Sequence, residues 1–137
     1  MRPKAIPDTS FLIEHFRTGN VQKIFLEVNR NYKIVFNSVV LMELFSGAYE
    51  KKDRRLVEYI RDNFEVITPT ENEWYKAGDV LMKLRRDKKV DPLRIKCLLT
   101  DVLIALSARS TGALLITKDE KDFKLIHEVT DFKYIAV

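Results

Sequence analysis

Short runs of aliphatic and β-branched residues, each followed by a stretch with helical spacing, constrain this chain more than any other feature. The clearest run is Ala113-Leu114-Leu115-Ile116-Thr117, which shows no polar alternation. A strand wet on one side alternates polar and apolar residues, whereas a continuous apolar run is expected where helices cover both faces of a parallel sheet. Lys4-Ala5-Ile6 (ending at Pro7-Asp8), Ile34-Val35-Phe36, Val66-Ile67 and Lys133-Tyr134-Ile135-Ala136-Val137 supply the other strand candidates. Between them, Phe11-Leu12-Ile13 with Phe16, then Val21, Ile24, Phe25 and Val28, then Leu56, Tyr59 and Ile60, and then Trp74, Ala77, Leu81 and Leu84 each fall on one helical face. Strands separated by helices imply parallel crossovers. The expected fold class is therefore α/β, a three-layer α/β/α sandwich around a central, mostly parallel sheet of four to five strands.

Local signals mark the element ends. Asn37 or Ser38 can cap a helix over 39–48. Thr70-x-x-Glu73 has the form of a capping box, in which two side chains satisfy free helix N–H groups reciprocally. Asp91-Pro92 breaks the chain before a long helix around Leu99 to Ala108, which stops near Gly112.

The 137 residues fit a single domain over 1–137. The one cysteine, Cys97, has no internal partner, so a disulfide-stapled secreted scaffold is not expected. The first residues are too poor in apolar side chains for a signal peptide, and the stretch from Leu98 to Ala108 is interrupted by Thr100 and Asp101. It is far shorter than the ~20 residues of a membrane span. A soluble cytoplasmic protein with no membrane association is expected. Twenty-four Lys and Arg against twenty Asp and Glu give a net charge of +4, which permits a polyanionic partner without demanding one.

Ligands of open α/β sheets bind beyond the carboxyl ends of the strands, which directs attention to the acids there. Asp8 follows the first strand and, with Thr9 and Ser10, also suits the N-cap of the next helix. Glu43 sits in Val39-Val40-Leu41-Met42-Glu43-Leu44-Phe45, where it either uses a thin wet face or is held for a purpose. Asp101 lies in a similar apolar frame, Leu98 to Leu106, and can serve as a first-turn acid favoured by the helix dipole. Asp119 and Asp122 follow the strand of residues 113–117 and are also ordinary turn or N-cap residues. Taken together, Asp8, Glu43, Asp101 and Asp119 can converge on one sheet edge if their strands are adjacent and parallel. Four anions in one pocket repel and raise one another's pKa values, a conflict that a hard divalent cation, Mg²⁺ or Mn²⁺, removes.

Four segments resemble the PIN-domain family, and within it the VapC-type toxins of toxin–antitoxin pairs. They are Pro7-Asp8-Thr9-Ser10-Phe11-Leu12-Ile13, Val39-Val40-Leu41-Met42-Glu43-Leu44, Thr100 to Ala108, and Leu115-Ile116-Thr117-Lys118-Asp119-Glu120-Lys121-Asp122-Phe123, in the family's order over nearly the whole chain. The resemblance implies a Mg²⁺- or Mn²⁺-dependent endoribonuclease with metal-binding, catalytic acids at Asp8, Glu43, Asp101 and Asp119. Asp8 and Asp101 are the expected direct ligands, with Glu43 and Asp119 binding a second ion or its waters. Thr9 or Ser10 matches the hydroxyl beside the first acid, Thr117 the one before the fourth, and Asp122 a more variable acidic or polar place. Pro7 departs from the family's apolar strand residue and, lacking an N–H, suits a strand end. The resemblance further implies an RNA substrate, a homodimer with two sites in a shared groove, and a small antitoxin whose tail enters that groove.

Substrate grip is expected from Lys118, beside the site, and from the basic stretch Arg85-Arg86-Asp87-Lys88-Lys89, with Lys51 to Arg55 next in density; such runs also serve simply as solvated surface. Trp74 and Tyr75 are expected in the core rather than as base-stacking platforms, and His15 and His127 in ordinary surface or helix roles. Two alternatives stay open: a non-catalytic PIN-fold scaffold binding RNA or protein, against which the four acids stand, and a receiver-like phosphoacceptor domain. The latter needs an acidic pair near the first strand and a central Asp, where this chain offers Asn37.

Overall fold

The computed structural model describes residues 2–137. In chain order the elements are β1 (Lys4–Pro7), α1 (Thr9–Thr18), α2 (Gln22–Asn31), β2 (Lys33–Ile34), β3 (Phe36–Asn37), α3 (Ser38–Ser46), α4 (Lys51–Asn63), β4 (Val66–Ile67), α5 (Glu71–Asp87), α6 (Pro92–Thr111), β5 (Leu114–Thr117), α7 (Glu120–His127) and β6 (Lys133–Ala136). Strands β2-β1-β5-β6 form one parallel sheet in that order, and β3-β4 a second parallel pair. The two pieces meet at Val35: its N–H donates to the Ala5 carbonyl at 2.9 Å, while the next N–H, of Phe36, donates to the Glu65 carbonyl at 3.0 Å. One extended segment thus changes partner within a single residue.

From β1 the chain moves outward to β2 and on to β4, whereas from β5 it moves the opposite way to β6. Right-handed crossovers running in opposite directions put their helices on opposite faces. Helix packing agrees, α3 lying against α1 and α4, and α6 against α5 and α7, with the two sets meeting where α3 touches α6. The result is the expected three-layer sandwich. Ala5, Ile6, Leu115 and Ile116 of the two central strands are fully buried, as the continuous apolar run in β5 requires. The reversal of direction falls between β1 and β5, and the crevice beyond the carboxyl ends of such a pair is where open α/β sheets bind ligands.

Caps set the lengths of the helices around this crevice. Asn37 Oδ1 accepts from the Val39 N–H at 2.9 Å and starts α3. Asp91 accepts from the Leu93 N–H at 3.1 Å ahead of Pro92, and Gly112, at φ +67°, ends α6 in the left-handed conformation that favours glycine. The Thr70–Glu73 capping box is complete.

Several sequence expectations need correction. Trp74 and Tyr75 are not core residues: they are 51% and 65% exposed. The capping box turns Glu73 inward, so α5 buries Glu73, Ala77, Val80 and Leu84, and Trp74 lies one position off that face. On α4 the buried pair is Val57 and Ile60, while Leu56 and Tyr59 are exposed. Phe16 of α1 is likewise exposed. The helix expected over 39–48 ends at Ser46, and α7, built on the buried pair Phe123 and Ile126, was not anticipated.

Candidate metal centre

Asp8 is the residue immediately after β1, and Thr117 is the last of β5. The register Ile6↔Leu115 and Pro7↔Ile116 brings them side by side, and the Asp8 N–H still donates to the Ile116 carbonyl at 2.9 Å. Asp8 caps α1 by accepting from the Phe11 N–H at 2.9 Å, so the ordinary N-cap role and a place in the pocket coexist. Its carboxylate also accepts from Thr117 Oγ1 at 2.5 Å and from Ser10 Oγ at 2.8 and 3.0 Å. Thr117 Oγ1 in turn accepts the Asp119 N–H at 2.8 Å, and Ser10 Oγ accepts the Lys118 N–H at 3.1 Å. Two hydroxyls therefore tie the turn after β5 to the turn after β1.

Helix α3 contributes Glu43, whose carboxylate accepts from Thr9 Oγ1 at 2.7 Å and Thr100 Oγ1 at 3.4 Å. Helix α6 contributes Asp101, and the start of α7 contributes Asp119 and Asp122. One carboxylate oxygen from each of Asp101, Asp119 and Asp122 lies within 4.8 Å of the others. Asp119 and Asp122 stand three residues apart at a helix start, a spacing that places side chains on one face. Asp122 is thus drawn fully into the cluster rather than merely flanking it.

The electrostatics report the same convergence. Burial pushes the Asp101 carboxyl up to about 8, and the negative charges of Asp8, Asp122, Glu43 and Asp119 add to the effect. Burial also raises Asp8, against the opposing pull of its hydrogen bonds from Thr117, the Phe11 N–H and Ser10. Asp119 is raised by burial and then by its neighbour Asp122. Anions held this close, mostly by hydroxyl and backbone donors, form an oxygen-rich pocket with an excess of negative charge. That donor set fits a hard dication, which takes carboxylate and water oxygens at about 2.0–2.1 Å in the case of Mg²⁺. The residues present therefore suit the expected metal.

Two neighbours of the cluster were not among the expected site residues. Thr100 reaches Glu43, and Arg94 Nη2 donates to Asp122 Oδ1 at 3.0 Å. Among the described residues this is the one ion pair made by any of the five acids. The basic stretch on α5 behaves differently. Arg85, Arg86, Lys88 and Lys89 are all exposed; Arg86 folds onto Asp87 at 2.7 Å, and Lys88 lies 3.7 Å from Glu128, beyond the end of α7. Lys118 is exposed, with its backbone built into the pocket through Ser10. His15 stacks on Phe25, and His127 packs against Phe132 and Tyr134. Asn37, at the place where a receiver would carry its central Asp, is fully buried and spent on capping α3. Beside Glu43, a cavity of about 220 Å³ opens between α1, α3 and α4, lined by Ile13, Phe16, Leu44, Leu56 and Val57 with Arg17 and Asp53.

The PIN-domain family model matches residues 5–128. No curated protein matches the chain in sequence. Among solved structures, the chain is similar to DNA-bound VapBC from Salmonella typhimurium, at 20% identity and a TM-score of 0.74 over 99% of this chain and 98% of that one. It is similar to VapBC2 from Rickettsia felis bound to a DNA fragment from their promoter, at 18% identity and 0.76 over 98% of each. VapBC-1 from nontypeable Haemophilus influenzae gives 23% and 0.75 over 97% of each. At such identities the likeness is one of fold.

Proposed function

The chain belongs to the PIN-domain family, and on that premise we propose that it is a divalent-metal-dependent endoribonuclease, the toxin of a toxin–antitoxin pair. The observation that carries this is the approach of Asp101, Asp119 and Asp122 to within 4.8 Å of one another beside the reversal point of the sheet, with Asp8 and Glu43 outside that spacing but close enough for their charges to help push the Asp101 carboxyl up to about 8. A site that only stabilised the fold would be better served by neutral side chains, because a buried unpaired carboxylate costs several kcal/mol or shifts its pKa.

Asp8, Glu43, Asp101 and Asp119 would hold Mg²⁺ or Mn²⁺, with Asp122 joining Asp101 and Asp119. When bound, the ion supplies a water of lowered pKa and neutralises charge growing on the phosphodiester. The protein's part is orientation. Thr117 and Ser10 fix both oxygens of Asp8, Thr9 and Thr100 fix Glu43, and the Asp119 N–H bonded to Thr117 sets the turn that carries Asp119 and Asp122. Lys118, exposed beside the pocket, would meet a phosphate of the RNA, and Arg85, Arg86, Lys88 and Lys89 would supply only a more distant, salt-sensitive attraction.

The apolar cavity that runs from Glu43 supports the antitoxin partner, since an amphipathic segment could lay its apolar side there and bring a basic residue to the acids. The VapBC assemblies of similar fold and the family resemblance support the same partner, and the resemblance supports a homodimer. No helix of the described residues is long and apolar enough to cross a membrane.

The test is purified protein incubated with RNA and Mn²⁺, alongside Asp8→Asn and a chelator control. Metal-dependent cleavage lost in the variant is expected. Cleavage that survives the substitution would assign the activity to a contaminant.

A further inference from the structure

Arg94 is the one cation paired with the acidic cluster among the described residues. It projects from the first turn of α6, one element away from its partner, and donates to Asp122 Oδ1 at 3.0 Å. Both side chains are partly covered, at 38% and 29% exposure. Asp122 is also one of the three acids whose oxygens lie within 4.8 Å of each other. The guanidinium therefore holds the same carboxylate that the cluster would turn toward a dication. Arginine keeps its charge at any working pH and matches both carboxylate and phosphate oxygens with its planar fork.

We infer that Arg94 is an internal counter-cation that exchanges partners: it neutralises Asp122 while the pocket is metal-free, and moves to a phosphate of the substrate once Asp122 faces the ion. This rests on the nuclease reading above. Two effects of removing the guanidinium follow, with opposite signs. The dication loses a competitor for Asp122 and a nearby positive charge, so it binds more tightly. The RNA loses a charged contact, so it binds more weakly.

The experiment titrates Mn²⁺ into wild-type protein, Arg94→Gln and Arg94→Lys by calorimetry, and measures binding of a labelled single-stranded RNA in Ca²⁺ by anisotropy. Arg94→Gln is expected to bind Mn²⁺ about three- to tenfold more tightly and RNA about tenfold more weakly. Arg94→Lys, which keeps the charge without the fork, is expected to stay within about twofold of wild type for Mn²⁺ and to recover RNA binding in part. In steady-state cleavage the loss in Arg94→Gln should fall on KM rather than kcat. Unchanged or weaker Mn²⁺ binding in Arg94→Gln would overturn the exchange, and so would unchanged RNA affinity. Absence of Mn²⁺ binding in the wild type would instead bring down the nuclease proposal together with this one, which separates the two failures.

Discussion

Replacing Asp101 by Asn should make the metal-free protein more stable, and increasingly so as the pH rises. Asp101 ionises near pH 3.8 in an unfolded chain and only at about 8 in the fold. Between those values the folded state holds a proton that the unfolded state has released, so stability falls as pH rises and levels off above about 8. Each unit of difference corresponds to about 1.4 kcal/mol, so the full span sets a ceiling of about 6 kcal/mol. Water entry and side-chain rearrangement relax much of such a penalty, and an observed gain of about 2–4 kcal/mol at pH 8.5 is expected. Asparagine has nearly the same shape and no charge to lose, so its advantage should shrink steadily toward pH 4.5. The assay is urea denaturation of both proteins in EDTA across that range. Saturating Mn²⁺ should close most of the gap, because ligand at about a hundred times its Kd stabilises the wild type by about 2.7 kcal/mol and the variant lacks the charge that holds it. A gap between the two proteins that does not change with pH in EDTA, or a variant less stable at pH 8.5, would refute the reasoning.

Thr117→Val keeps shape but removes a hydroxyl that serves Asp8 and the Asp119 N–H together; a loss of about 2–4 kcal/mol is expected in denaturant titration, with Thr117→Ser close to wild type. Asn37→Ala removes the cap of α3 and should cost about 1–2 kcal/mol by the same measurement, weakening the helix that carries Glu43. Lys89 sits at φ +56° in the turn between α5 and α6, so Lys89→Gly should raise the melting temperature, by relief of about 1 kcal/mol of backbone strain.

The layered fold was legible because its signals are local and redundant. The unbroken apolar run of β5, the capping box at Thr70 and the Asp91-Pro92 break each specify an element without reference to the rest of the chain. Glu43 and Asp101 could be singled out because a carboxylate amid aliphatic residues stands out in one dimension, and Asp8 and Asp119 because each directly follows a strand run. What stayed hidden depends on facing elements. Trp74 looks like core until the capping box rotates α5, and Asp122 looks like turn chemistry until α7 forms and lifts it over Asp101. Phe123 and Ile126, three apart, were the available sign of that helix. Arg94 had no sign at all, since nothing in its neighbourhood along the chain announces a partner 28 residues away.

The contact between Thr117 and Asp8 joins residues 109 positions apart. An amino-terminal fragment that stops short of β5 therefore carries Asp8, Glu43 and Asp101 but has neither the hydroxyl that orients the first of them nor the two acids of the following turn. Nuclease chemistry of the kind proposed would then be withheld from a nascent chain until β5 and the start of α7 have left the ribosome, and a half-made copy would lack it.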